Sequence, residues 1–88
     1  MAERSAQIGS KVGLHARPAS IFVKAASEAG IPVQIAKDGG APVDAASILG
    51  VMTLGAGYQD TVTLTAEGAE AEAVLESLAE LLSKDLDE

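Results

Sequence analysis

The run Thr61-Val62-Thr63-Leu64-Thr65-Ala66 alternates strictly and is rich in β-branched side chains, so it predicts a strand with one apolar face. Such a strand needs a second layer to cover it. Gly68 breaks the period of two, and the next segment carries Val74, Leu78, Leu81 and Leu82 at helical spacing. A sheet-forming segment followed at once by an amphipathic helix predicts a two-layer arrangement of sheet and helices.

The rest of the chain supplies the missing elements. Residues up to about Ile8 read as a first strand, with Ala6 and Ile8 facing the core, and Gly9 to Gly13 as a loop. From Ala16 to about Ala29 the residues Phe22, Ala25, Ala26 and Ala29 recur every three or four positions, which predicts a helix. Pro18 is tolerated in its first turn, and Gly30 and Pro32 stop it. Val33 and Ile35 alternate with Gln34 and Ala36 as a second strand. Lys37-Asp38-Gly39-Gly40 then reads as a tight turn, whose Asp-Gly pair suits positive φ angles. A partner strand follows at Ala41 to Asp44, placed at an edge because Pro42 cannot donate to a ladder. Ser47 to about Leu54 predicts a short helix, with Asp44 or Ala45 near its start and Gly55 just past its end. Gly68 opens the last helix, with Glu70 and Glu72 in its first turn and Lys84 near its end, as the helix dipole prefers. The order is βαββαβα. The expected class is α+β, an open-faced two-layer sandwich of a four-stranded antiparallel sheet with three helices on one face.

Composition narrows the chemistry. A chain of 88 residues predicts one domain over residues 1–88 with one modest core and no cavity for a large cofactor. Of its 48% hydrophobic residues many are alanine, and Phe22 and Tyr58 are the aromatic ones, so the layers should approach closely. The absence of cysteine excludes disulfides, thiolate zinc sites and thiol catalysis, and one histidine excludes a multi-imidazole metal site within the chain. Neither cofactor nor metal is expected. No apolar stretch approaches the roughly 20 residues of a membrane span, and Met1-Ala2-Glu3-Arg4 lacks the apolar run of a signal peptide. A soluble cytoplasmic protein without membrane insertion is the expectation. The net charge of −7 argues against a nucleic-acid partner. Yet Arg4, Lys11, Arg17 and Lys24 fall in a segment free of acids, whereas Asp60, Glu67, Glu70, Glu72, Glu76, Glu80, Asp85, Asp87 and Glu88 face Lys84 alone. The positive segment favours an anionic substrate or an acidic partner surface.

That segment also holds the lone histidine, in Gly13-Leu14-His15-Ala16-Arg17-Pro18-Ala19-Ser20. An imidazole with an ordinary pKa of about 6.5 is largely uncharged and nucleophilic at neutral pH. Here it stands at the mouth of the first helix, whose leading N–H groups lack intrahelical partners and favour an anion. Arg17 adds a fork of donors shaped for phosphate oxygens. Nucleophile, anion nest and clamp within three residues suggest a histidine that carries a phosphoryl group. An ordinary exposed or capping histidine is the alternative for His15 alone. No second acid–base or metal-ligand group accompanies it, which argues against a self-sufficient enzyme.

The octapeptide resembles the phosphohistidine signature of the HPr family, the phosphocarriers of the phosphoenolpyruvate-dependent sugar phosphotransferase system. Ser47-Ile48-Leu49-Gly50-Val51-Met52-Thr53-Leu54-Gly55 resembles that family's second signature, and the resemblance extends over nearly the whole chain. It implies that phosphorylated enzyme I passes its group to Nδ1 of His15, and that His15 passes it to enzyme II A components for sugar uptake. It implies that Arg17 pairs with the phosphoryl oxygens and that Ala16 and Arg17 offer backbone N–H groups. Ile48, Leu49 and Met52 match an exposed apolar docking surface, with Ser20 and Lys24 on the same rim. Three large apolar residues in one short helix cannot all face a sheet, so at least one is expected at the surface. Ser47 matches a serine that a kinase phosphorylates in many Gram-positive family members, giving a co-repressor for a transcriptional regulator. Serine there serves equally well as a helix N-cap, and Ala46 stands where a basic or polar residue commonly precedes it. Two further classes stay open: a carrier for another phosphorelay, such as nitrogen regulation or dihydroxyacetone phosphorylation, and a regulatory binding module acting through Ser47. A monomer is the expected state.

Overall fold

The computed structural model describes residues 2–9, 16–37 and 39–84. Its elements are β1 (Ala2–Gln7), α1 (Ala16–Glu28), β2 (Val33–Lys37), β3 (Val43–Asp44), α2 (Ile48–Thr53), β4 (Thr61–Ala66) and α3 (Ala71–Ser83). The strands form one antiparallel sheet in the order β1-β4-β2-β3, with β4 inside it. The expected α+β open-faced sandwich, βαββαβα with its helices on one face, is the observed architecture.

The period of two in β4 decides which face is covered. Val62, Leu64 and Ala66 are buried, and the threonines between them are more exposed. Register carries that choice across the sheet. Leu64 pairs with Ile35 on one side and Arg4 on the other, and Ala66 pairs with Val33 and Ala2. Ile8, just beyond β1, reaches the core as expected. Phe22 and Ala26 of α1 and Leu75, Leu78 and Leu82 of α3 close the other side of the core. Alanines at 19, 26, 45, 56, 66 and 71 fill the rest, so the layers meet closely.

Several sequence expectations need correction. The last helix starts at Ala71 rather than at Gly68. Gly68 adopts φ +121, and its carbonyl accepts from Ala71 N at 3.2 Å, so a turn precedes the helix. Glu70 is therefore the N-cap residue, Glu72 lies in the first turn, and Lys84 is the C-cap residue beyond the last turn. The buried stripe of α3 is Ala71, Leu75, Leu78 and Leu82, while Val74 and Leu81 flank it half-buried. The edge strand expected over Ala41–Asp44 is only Val43–Asp44. Gly40 N closes a turn on Lys37 O at 2.7 Å with Gly39 at φ +82, and Pro42 has no N–H with which to extend the ladder. Asp38, expected in that turn, lies outside the described residues.

Candidate functional site

The site is built from the start of α1 and the whole of α2, which pack against each other. α1 opens at Ala16, immediately after His15, and its first turn holds no acidic residue. Residues 10–15, which include His15 and most of the loop expected over Gly9 to Gly13, lie outside the described residues. Pro18 and Ala19 are buried, which fixes the first turn of α1 to the core. Proline at this point sacrifices nothing, since a first-turn N–H has no intrahelical acceptor. Arg17, Ser20 and Lys24 are exposed and recur at spacings of three and four, so they share one outer face of α1. Ile21 is exposed beside them.

The entry to α2 is fixed by two side chains. Asp44 accepts a hydrogen bond from Ala46 N at 2.9 Å, and Ser47 Oγ accepts one from Gly50 N at 3.1 Å. Ser47 is therefore the N-cap of a helix spanning Ile48–Thr53, one residue shorter at each end than expected. Its side chain is half-buried. One large residue of this helix faces inward: Val51 is 0% exposed. Leu49 is 74% exposed, Ile48 40% and Met52 37%. All three docking candidates are thus at the surface, more than the one that counting demanded. They form an apolar patch on the helix that packs against α1, whose exposed residues include Arg17 and Lys24.

Charge divides as the sequence suggested. Exposed bases lie on α1, and the exposed Glu72, Glu76 and Glu80 lie on α3. A groove between the two helices is lined by Ala25, Ala29, Val74 and Leu81. On α1 it begins at Ala25, roughly 12 Å along the helix from Arg17, so it is separate from the anion-favouring end. Among the described residues no group of three His, Cys, Asp or Glu side chains could hold a metal ion, and no helix is long and apolar enough to cross a membrane.

Sequence reasoning missed the supports of this site. Ile8 N donates to Asp60 O at 2.9 Å, Gln59 N donates to Ile8 O at 2.9 Å, and Gly9 N donates to Leu82 O at 2.8 Å. The two residues that follow β1 are thereby tied to the turn before β4 and to the end of α3. Lys37, at the end of β2, donates to Gly55 O at 3.3 Å, just past the C-cap of α2. Gly9, directly after a strand and before the histidine segment, was the available signal.

Known proteins share this fold. The family profile described as "PTS HPr component phosphorylation site" matches residues 2–84. The phosphocarrier protein HPr of Streptomyces coelicolor is 52% identical over 88 residues, covering 100% of this chain and 95% of that protein. The HPr-like protein Crh of Halalkalibacterium halodurans is 38% identical over 85 residues, covering 97% and 100%. The crystal structure of HPr-C-His from Thermoanaerobacter tengcongensis superposes with a TM-score of 0.88 at 39% identity, covering 100% of this chain and 98% of that one. A match that spans both signatures and the whole sandwich leaves one assignment: the chain belongs to the HPr family of phosphocarrier proteins of the phosphotransferase system.

Proposed function

We propose that this chain accepts a phosphoryl group from phosphorylated enzyme I on Nδ1 of His15 and donates it to enzyme II A components that energise sugar uptake. The observation that carries the reading is the start of α1 at the residue after His15, with an acid-free first turn and an exposed Arg17. Leading amides of a helix favour an anion, and Ala16 and Arg17 supply them next to the nucleophile. The guanidinium of Arg17 pairs with phosphoryl oxygens.

In each transfer a P–N bond forms at His15 as the bond to the donor breaks, and the reverse exchange hands the group on. Such a transition state is loose, so positioning and charge stabilisation do most of the work. A carrier must also release its phosphate. One arginine and a few amides hold the group less tightly than a metal or a deep basic pocket would. The protein is then a substrate and donor for partner phosphotransferases, acting as a monomer in the cytoplasm. Ile48, Leu49 and Met52 form the partner-docking surface, with Ser20 and Lys24 on its rim. Exposed methionine suits a surface that meets several partners.

The regulatory reading, in which a kinase modifies Ser47 and a transcriptional regulator binds the product, has less support. The Ser47 hydroxyl is half-buried and engaged as a cap. Intact His15 and Arg17 also favour carriage, in sugar uptake or in another phosphorelay. Incubation with enzyme I and phosphoenolpyruvate, followed by intact mass, tests the proposal. An acid-labile gain of one phosphate that disappears in His15→Ala is expected. A His15→Ala protein that folds and is still labelled overturns it.

A further inference from the structure

Between α1 and α3 lies a groove of about 460 Å³, within the size range of ligand sites. It exists because small side chains meet there. Ala25 and Ala29 line it on α1, and a methyl group cannot fill the space that separates them from Val74 and Leu81 on α3. Leu78 is buried at its base, whereas Ala25, Ala29, Val74 and Leu81 are half-buried and leave aliphatic surface to solvent. Each helix adds a carboxylate to the rim. Glu28 at the end of α1 and Glu80 on α3 both line the groove and both are exposed. Among the described residues neither is in an ion pair. Arg17 and Lys24, the bases of α1, are not part of the lining. Lys84 is the one base among the lining residues, and it stands just past the end of α3. Along α3 the lining runs from Ala73 to Lys84, about 16 Å or three helical turns.

We propose that this groove docks a basic amphipathic helix of a partner protein. Its apolar side chains enter between Ala25 and Val74, and its lysine or arginine side chains meet Glu28 and Glu80. An aliphatic floor of that length accepts a row of apolar side chains repeating every three or four positions. A carboxylate on either rim selects a cation on either flank of that row. The end of this chain is a poor occupant by the same rule. Residues 85–88 read Asp-Leu-Asp-Glu, and their three carboxylates are repelled by the rim. The inference stands on the groove alone and does not rest on the role of His15.

The test is titration of the ¹⁵N-labelled full chain with a synthetic helical peptide of about 14 residues, a leucine stripe flanked by lysines. Amide shifts should fall on the lining of α1 and α3. Glu28→Lys/Glu80→Lys should raise Kd tenfold or more. Glu67→Lys/Glu72→Lys has the same net charge with both changes outside the lining, and should stay within about twofold of wild type. Should the first variant fail to fold, Glu28→Gln/Glu80→Gln should still show a loss beyond that of the matched Glu67→Gln/Glu72→Gln. A peptide with serine in place of leucine should lose the binding. Shifts scattered over the acidic surface, equal losses in the matched variants, or undiminished binding of the serine peptide would each overturn the proposal by showing mere attraction of charge. Nuclear Overhauser contacts of Leu86 with Val74 or Leu81 in the free protein would overturn it too, since the chain would then cover its own groove.

Discussion

Lys37 Nζ lies 3.3 Å from Asp60 Oδ2, joining the end of β2 to the residue just before β4. Asp60 also accepts from Gly57 N at 2.8 Å through the same oxygen. The Gly57 N–H first, and the Lys37 ammonium second, hold the Asp60 carboxyl below its ordinary range. Both side chains are substantially exposed, so the pair is screened by solvent and its contribution is small.

The pH dependence follows in sign from that lowered value. An unfolded aspartate titrates near 3.9, and the folded carboxyl titrates below it, so the unfolded state binds more protons in between. The contribution of Asp60 is fully present above about pH 4 and is lost as pH falls through the lowered folded value. Asp60→Asn should melt below wild type at pH 7, and the gap should shrink steadily on acidification below about pH 4. Melting curves across that range check it; a gap that is constant with pH would show that the carboxylate charge is not the cause.

Gln59 lies within this turn at φ 69, a left-handed conformation that costs a side chain roughly 1–2 kcal/mol and costs glycine little. Part of the gain from glycine returns as unfolded-state entropy. Gln59→Gly should therefore stabilise by up to about 1 kcal/mol. A urea midpoint at or below that of wild type would show that the turn relieves the strain by other means.

Ser47 caps α2, and the cap can be tested by substitution. Its Oγ accepts the Gly50 N–H of a six-residue helix, and removal of an N-cap hydroxyl typically costs about 1 kcal/mol. Ser47→Ala should lose about that much in urea denaturation, and Ser47→Asp should recover most of it, because aspartate also caps well. Equal stability of all three proteins would mean that the hydrogen bond contributes nothing measurable.

What the sequence made legible depended on the range of each interaction. The alternation in Thr61–Ala66 and the three-and-four spacing around Phe22 are local patterns, and both elements lie where they were expected. Counting apolar residues in a one-and-a-half-turn helix was enough to demand exposure on α2. Helix ends were harder. At Gly68 the chain needs a turn before it can become helical, so the start of α3 moved to Ala71 and Leu75 joined the buried stripe. The pairing of Lys37 with Asp60 and the seat of Gly9 on Leu82 join residues far apart in sequence. Periodicity carries no record of such contacts; they are consequences of sheet order.

Arg17 tests the clamp directly. It is exposed on the first turn of α1, so its removal should leave the fold unaltered. A hydrogen bond to a charged group is worth about 1.5–3 kcal/mol. Made in the transition state, that corresponds to roughly ten- to hundredfold in rate. Arg17→Ala should slow phosphoryl uptake by that factor without abolishing it, at an unchanged melting temperature. Wild-type kinetics in the variant would remove Arg17 from the transfer.

The apolar patch on α2 is best tested by contrasting two of its neighbours. Leu49 is 74% exposed and Val51 is 0% exposed, although they lie two residues apart on the same helix. Aspartate at 49 meets water and should change stability by no more than about 0.5 kcal/mol. Aspartate at 51 would bury a charge without a partner and should unfold the protein or cost more than about 4 kcal/mol. If the patch docks enzyme I, Leu49→Asp should weaken that complex by about 2 kcal/mol or more, roughly 30-fold in Kd, while the melting temperature holds. Titration calorimetry against enzyme I, paired with thermal melts, reads both quantities. Undiminished affinity in the folded Leu49→Asp protein would place the docking surface elsewhere on the molecule.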